Sequence, residues 1–170
     1  QSIAIDSGSF VSSYRMAATA PTVTSTALGG GAKTYSSGSP TVCSVNASSG
    51  VVAFVAAGTC RLSVSIAADT SYLSASSSQI SFSLVYQVGD TGPGGGIVFY
   101  IDIENKYPNW QYLEVAPTFA ALKSSSESGG VTWSEASTTA ASYSTATADD
   151  WFLPSYWQLA TALLNLFHIP

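Results

Sequence analysis

Alternating apolar and polar residues dominate the first half of the chain. The alternation covers residues 1–5, 39–45, 61–66 and 79–86, and it is the pattern of strands with one buried face. A turn at 46–50 and a returning strand at 51–55 form a further local unit. Gly, Ser, Pro and Asp separate these runs at roughly ten-residue spacing, so the pattern predicts a β-sandwich over residues 1–87.

A glycine-rich stretch marks the change to a second pattern. Residues 88–100 read Val-Gly-Asp-Thr-Gly-Pro-Gly-Gly-Gly-Ile-Val-Phe-Tyr, and their centre holds Gly92, Pro93, Gly94, Gly95 and Gly96. Glycine loses the most backbone freedom on ordering and proline lacks a donor, so the stretch predicts a hinge or loop. It leads directly into an apolar strand over 97–103. We take residues 88–170 as a second module.

Helical signals occur only in this second module. After a strand at 111–115, Thr132 and Glu135 have the spacing of a capping box that opens a helix through residue 141. Ser155 and Gln158 form another, and apolar residues follow at helical spacing: Leu159, Leu163, Leu166 and Phe167. The module is therefore predicted to be α+β. Its tryptophans at 133, 151 and 157 are expected to lie in the core or at a module interface.

Both cysteines, Cys43 and Cys60, lie within strand patterns of the first module. In an oxidising compartment an even pair indicates a disulfide, which would stabilise the fold by about 3 kcal/mol in the chain-entropy model. Two buried free thiols in a reducing cytosol are the alternative. Zinc is not expected, because two cysteines and the distant His168 do not supply four ligands.

Charge is scarce and unevenly placed. Only 9% of the residues are charged, and the net charge is -5. Residues 1–86 carry three bases and two acids, giving +1, whereas residues 87–170 carry two bases and eight acids, giving -6. Five scattered bases do not form the cluster that a nucleic acid requires. No apolar run reaches the length of a transmembrane helix, so membrane insertion is not expected either.

The first module resembles a bacterial immunoglobulin-like extracellular repeat. The resemblance rests on Ser-Pro-Thr-Val-Cys-Ser-Val at 39–45, Gly-Val-Val-Ala-Phe-Val-Ala-Ala-Gly-Thr-Cys at 50–60 and Ala-Ala-Asp-Thr-Ser-Tyr at 67–72. It covers nearly all of residues 1–86, although residues 6–20 depart from the usual pattern. The resemblance implies a seven-strand sandwich, an oxidising compartment and a spacer or adhesive role.

The second module is similar to bacterial extracellular domains related to the C-type-lectin-like fold. The similarity rests on the glycine-rich opening, on Trp-Gln-Tyr-Leu-Glu-Val-Ala-Pro at 110–117 and on Asp-Trp-Phe-Leu-Pro-Ser at 150–155. That family normally continues past this helix with further strands. We therefore expect a shortened or incomplete module.

Signatures of catalysis are missing from the sequence. The glycines at 92–96 precede a strand, whereas a dinucleotide site needs a helix N-terminus. There is no Gly-x-Ser-x-Gly elbow, and residues 87–170 contain no cysteine for the oxidase chemistry of one lectin-like branch. We expect a protein that is not an enzyme and needs no cofactor. Asp90, Asp102 and Glu104, the last two taken to share a strand face, are weak candidates for a Ca²⁺ site, with solvated surface acids as the alternative.

Aromatic residues point to a contact surface in the second module. Tyr107, Asn109 and Trp110 fall in a predicted loop tip, where rings beside polar groups suit a sugar, although most aromatic residues of the module are expected to be core. We expect a secreted or cell-surface structural or adhesion protein that acts through protein–protein contacts, in a repeated assembly. The alternative is a glycan- or receptor-binding module, including a virion-surface protein. Residues 1–10 lack the features of a signal peptide, so a mature product or another delivery route is expected.

Overall fold

The computed structural model describes residues 2–118 and 132–167 of the chain. The chain forms two compact units, Gln1–Tyr86 and Gln87–Pro170, and it is mainly β. His168, the histidine considered above as a zinc ligand, lies outside the described residues. None of the helices in the described ranges is both long and apolar enough to cross a bilayer.

Nine strands and a short 3-10 helix, Ser7–Ser9, build the first unit. The strands are β1 Ile3–Ile5, β2 Ser13–Arg15, β3 Ser25–Ala27, β4 Lys33–Ser37, β5 Cys43–Val45, β6 Val52–Phe54, β7 Gly58–Ile66, β8 Ala75–Ser76 and β9 Ile80–Val85. The largest sheet has the order β2-β9-β7-β4, and β8 pairs with β7. Two smaller sheets pair β1 with β3 and β5 with β6. All pairings are antiparallel except that of β2 with β9, which joins the second and last strands of the unit in parallel.

Strand β7 supplies the centre of the core of the first unit. Its inward positions are all buried: Cys60, Leu62, Val64 and Ile66. Phe82 and Leu84 of β9 join the same cluster, because both strands alternate in phase across their shared register. Cys43 and Cys60 form a disulfide with a Cα–Cα distance of 5.6 Å, and both are fully buried. The predicted disulfide is therefore confirmed.

Two parts of the predicted strand pattern of the first unit are wrong. Residues 39–42 form a turn instead of a strand, because the amides of Val42 and Cys43 both donate to the carbonyl oxygen of Ser39 at 2.9 Å. The predicted strand at 51–55 is shorter, and only Val52–Phe54 pairs with β5. The alternation in the sequence continues through the turn, so it gave no sign of where pairing begins.

Asp69 ties two loops of the first unit together. Its carboxylate accepts hydrogen bonds from the amides of Gly30 at 2.7 Å and of Ser71 and Tyr72 at 2.8 Å each. These bonds, that of Ser71 first and then that of Gly30, lower the pKa of Asp69 below its ordinary value. A carboxyl group with a lowered pKa stabilises the fold above its ordinary pKa, and this stabilisation is lost as the pH falls through the lowered value.

We expect Asp69→Asn to lower the stability of the first unit at pH 7 and to flatten its loss of stability below about pH 4. The asparagine side chain has one accepting oxygen, whereas Asp69 uses one carboxylate oxygen for the amide of Gly30 and the other for that of Ser71. Urea unfolding followed by far-UV circular dichroism between pH 7 and pH 2 measures the effect. The same change at the exposed Asp149 is the control and should leave the profile unchanged. If the free energy of unfolding changes with pH in the same way for the native chain and for Asp69→Asn, the hydrogen bonds of Asp69 do not stabilise the first unit.

The second unit contains one hairpin and two helices in its described part. Strands β10, Ile97–Ile101, and β11, Tyr112–Val115, are antiparallel with an irregularity between Val98 and Tyr100. Helix α1 spans Trp133–Ala141, and helix α2, Tyr156–Ala162, continues as a π-helical turn, Leu163–Phe167. Both predicted capping boxes are present. The buried cluster consists of Phe99, Leu113 and Ala162, with Tyr100, Trp110, Val115 and Leu166 packed against it.

Three predictions for the second unit are wrong. Strand β10 ends at Ile101, so Asp102 and Glu104 lie in the following turn, where Asp102 is buried and Glu104 is exposed. They do not share a strand face. Trp133, the first residue of α1, is 72% exposed and belongs to no described core cluster, so of its two predicted locations the core is wrong. Trp157 is also exposed.

Candidate functional site

The glycine-rich loop before β10 is wrapped around one carboxylate. Glu114, on β11, accepts hydrogen bonds from the amide of Gly94 at 2.9 Å and from that of Gly96 at 2.7 Å. A Cβ atom at Gly92 would collide with the same carboxyl group. Position 92 therefore favours glycine, because the Glu114 carboxyl group, held by two amides, fills the space that a side chain would take. No local sequence pattern indicates this role of Glu114, since 18 and 20 residues separate the partners.

Further contacts hold both ends of this loop. The hydroxyl of Thr145 donates to the carbonyl oxygen of Gly94 at 2.6 Å. At the start of the loop, the amide of Gly89 donates to the carbonyl oxygen of Val98 at 2.8 Å. The amide of Val98 donates to the backbone carbonyl oxygen of Asp90 at 2.9 Å. The buried Asp90 carboxylate accepts from the amide of Gln87 at 2.7 Å. These bonds fix the loop as one wall of a cavity.

The cavity in the second unit has a volume of about 650 Å³. We call it the second-unit cleft; Trp110, Tyr112, Tyr143, Trp151, Phe152 and Leu159 are its large apolar lining residues. Glu114 and Asp150 line it too, and no Lys, Arg or His is among its lining residues in the described ranges. An apolar concave surface with a few polar groups is the usual form of a binding site.

Helix α2 and the π-helical turn leave large apolar side chains in solvent beside this cleft. Tyr156 is 89% exposed and Phe167 is 63% exposed. Trp157, Leu159 and Leu164 are exposed as well, and Leu159 also lines the cleft. Apolar side chains concentrated on one short element mark an interaction surface more often than a solvated face.

The predicted loop tip between β10 and β11 is formed, and its rings are ordered by stacking. The rings of Tyr107 and Trp110 stack with centroids 4.3 Å apart and an interplanar angle of 14°. Trp110 also meets Tyr100 edge-on at 6.1 Å. The buried Asp102 carboxylate accepts from the amide of Tyr107 at 2.8 Å, which fixes the backbone below the ring. Asn109, the third predicted contact residue, is exposed.

The weak Ca²⁺ candidates each have a protein partner. Asp90 holds the amide of Gln87, Asp102 holds that of Tyr107, and Glu104 forms an ion pair of 2.9 Å with Lys106. Within residues 2–118 and 132–167, no group of three or more His, Cys, Asp or Glu side chains is placed to hold a metal ion. The three acids therefore do not combine into one site.

The second unit thus presents two adjacent surfaces that could contact a partner. One is the apolar second-unit cleft with the exposed side of α2, and the other is the stacked aromatic loop tip. The two surfaces share Asn109 and Trp110. The disulfide, the glycine loop and the buried carboxylates each make contacts that hold the fold. Comparison of the sequence with models of protein families and with curated proteins finds no match.

Proposed function

We propose that this chain is a non-enzymatic extracellular or particle-surface adhesion protein that acts through protein–protein contacts. The observation that carries the proposal is the apolar second-unit cleft, bordered by the exposed apolar side chains of α2. Burial of such surface is the main driving force of protein association. The cleft combines two carboxylates with apolar walls, and its lining residues within 2–118 and 132–167 include no His, Cys or Lys, so binding fits it better than catalysis.

The proposed architecture is an immunoglobulin-like sandwich that carries a C-type-lectin-like module. The paired sheets and the buried Cys43–Cys60 disulfide of the first unit support the first assignment. The glycine loop, the hairpin and the capped helices support the second. A disulfide is typical of oxidising compartments, which supports a secreted or cell-surface location, with a virion surface as the alternative.

The partner that we propose is a second copy of the chain, with other subunits of a repeated assembly as the alternative. Residues 1–86 carry a net charge of +1 and residues 87–170 carry -6. Contact between the second unit of one copy and the first unit of another is therefore free of the repulsion that two acidic surfaces would have. Such a contact joins different surfaces, and it builds rings or filaments when it repeats.

Leu159→Glu is expected to abolish association of the chain. Leu159 lines the second-unit cleft and is exposed on α2, so a carboxylate there would have to be desolvated in the contact. Glutamate is a good helix former and keeps α2 intact. Light scattering over a concentration series from about 1 to 500 μM, around the Kd values of common weak complexes, with negative-stain images, measures the assembly.

The matched control is Ser137→Glu, which adds the same charge to an exposed position of α1 outside the cleft. It should assemble as the native chain does. A native chain that stays monomeric throughout would contradict self-association. Assembly that persists in Leu159→Glu would show that the cleft is not the contact surface.

A further inference from the structure

We propose that the loop tip at residues 105–111 is a second binding site, which takes neutral hexopyranosides without a metal ion. This site goes beyond the proposed self-association and does not depend on it. Its residues line a shallow concavity of about 450 Å³: Asn105, Tyr107, Pro108, Asn109, Trp110 and Gln111. An aromatic platform beside hydrogen-bonding amides is the combination that a sugar ring needs, because a pyranose has apolar C–H faces and a rim of hydroxyls.

The platform is Tyr107, backed by Trp110. One face of the tyrosine ring lies on the indole at 4.3 Å, yet 41% of the residue remains exposed. The amide of Tyr107 is held by the buried Asp102, and Asn105 adopts a φ of 52° that closes the turn. A ring fixed in this way loses little conformational entropy when a ligand stacks on it.

Hydrogen-bonding capacity comes from three side-chain amides. Asn105, Asn109 and Gln111 are exposed around the concavity. The side-chain hydrogen bonds in the described part of the chain do not engage any of these three amides. Each carboxamide both donates and accepts, which matches a hydroxyl that also does both. The backbone of the loop is already closed, since the amide of Asp102 donates to the carbonyl oxygen of Gln111 at 2.8 Å.

The charges around the loop favour an uncharged ligand. Glu104 and Lys106 neutralise each other in an ion pair of 2.9 Å, and the Glu104 hydrogen bond raises the pKa of Lys106. Asp102 is buried below the loop and faces the amide of Tyr107. The lining residues in the described part of the chain therefore offer no unpaired cation for a phosphate, sulfate or uronic acid, and no exposed anion for an amino sugar.

The binding test uses the full chain and pure oligosaccharides. Cellohexaose, mannohexaose and galactohexaose are the neutral probes, hexagalacturonate and chitosan hexamer are the charged ones, and a decaproline peptide represents a protein ligand that also stacks on aromatic rings. Saturation-transfer NMR and calorimetry measure binding with and without EDTA. We expect at least one neutral hexasaccharide to bind, with an affinity that EDTA does not change.

Substitutions at Tyr107 test whether the oligosaccharide binds at the loop tip. Tyr107→Ala should weaken binding about tenfold, because the stacked ring is lost, whereas Tyr107→Phe keeps the platform and should bind as the native chain does. Tyr72→Ala is the matched control, since Tyr72 is 44% exposed and lies in the first unit. Far-UV circular dichroism verifies that each variant is folded.

Three results would overturn the proposal. The first is no binding of any neutral hexasaccharide at millimolar concentration. The second is tighter binding of a charged oligosaccharide or of decaproline, which would assign the loop to another ligand class. The third is equal binding by Tyr107→Ala and the native chain. None of these results bears on self-association, which Leu159→Glu tests separately.

Discussion

Replacing Cys43 and Cys60 together by alanine is expected to lower the free energy of unfolding of the first unit by about 3 kcal/mol. The disulfide closes a loop with a sequence separation of 17, so its removal restores conformational freedom to the unfolded chain. Both residues are fully buried. Removing their sulfur atoms also removes packing contacts in the core, which lowers the free energy of unfolding further. For a unit of this size, a loss of that order lowers Tm by about 15 °C.

Urea unfolding by far-UV circular dichroism measures this effect, because the first unit holds most of the strands. Dithiothreitol should reproduce the loss in the native chain and do nothing further to the double variant. Ser44→Ala, at an exposed position next to Cys43, is the control and should change stability by less than about 0.5 kcal/mol. A double variant within about 1 kcal/mol of the native chain would contradict the assigned role.

Gly96→Ala is expected to destabilise the second unit by about 3 kcal/mol. A Cβ atom at this position would lie 2.6 Å from the carbonyl oxygen of Val115 and 2.6 Å from the indole of Trp151. The first of these is backbone of β11 and cannot move without breaking the hairpin. The shift would also pull the amide of Gly96 away from Glu114, which holds it at 2.7 Å.

Tryptophan fluorescence measures this change cleanly, because all four tryptophans lie in the second unit. Gly94→Ala is the matched control in the same loop. Its Cβ atom would lie 3.1 Å from a Glu114 oxygen and 3.4 Å from Ala148, contacts that small side-chain movements relieve. If the two variants unfold at the same urea concentration, the close approach at Gly96 does not set the stability of the loop.

Several strands of the first unit could be predicted from the sequence, because a strand with one buried face alternates apolar and polar residues. The alternation at 61–66 lies in β7, and that at 79–86 contains β9. Strands β2, β3 and β8 were missed, because strands of two or three residues in a Ser/Thr-rich background are too short to show a period. Strand β4 was missed because Tyr35 is its only large apolar residue. The disulfide was predicted because an even pair of cysteines indicates a bridge in an oxidising compartment, and the mainly β character followed from the alternation.

Less of the second unit could be predicted, because the contacts that shape it join residues far apart in the sequence. Capping boxes are local, so Thr132 with Glu135 and Ser155 with Gln158 were found. The role of Glu114 requires the register of a hairpin, which no short pattern contains. Asp102 is flanked by the apolar Ile101 and Ile103, so the sequence shows no sign that β10 ends before Asp102. The exposure of Trp133 also depends on tertiary packing, which residue type alone does not determine.

The parallel pairing of β2 with β9 has a mechanical consequence. It joins Ser13–Arg15 to the last strand of the first unit, with Ser13 opposite Ser83 and residue 15 opposite Val85. When the chain is pulled from both ends, the two strands are drawn past each other along their own axes. Their hydrogen bonds then share the tension and must rupture together, instead of opening one after another as in a hairpin pulled from its ends. A tether that transmits force between surfaces gains its resistance from this arrangement.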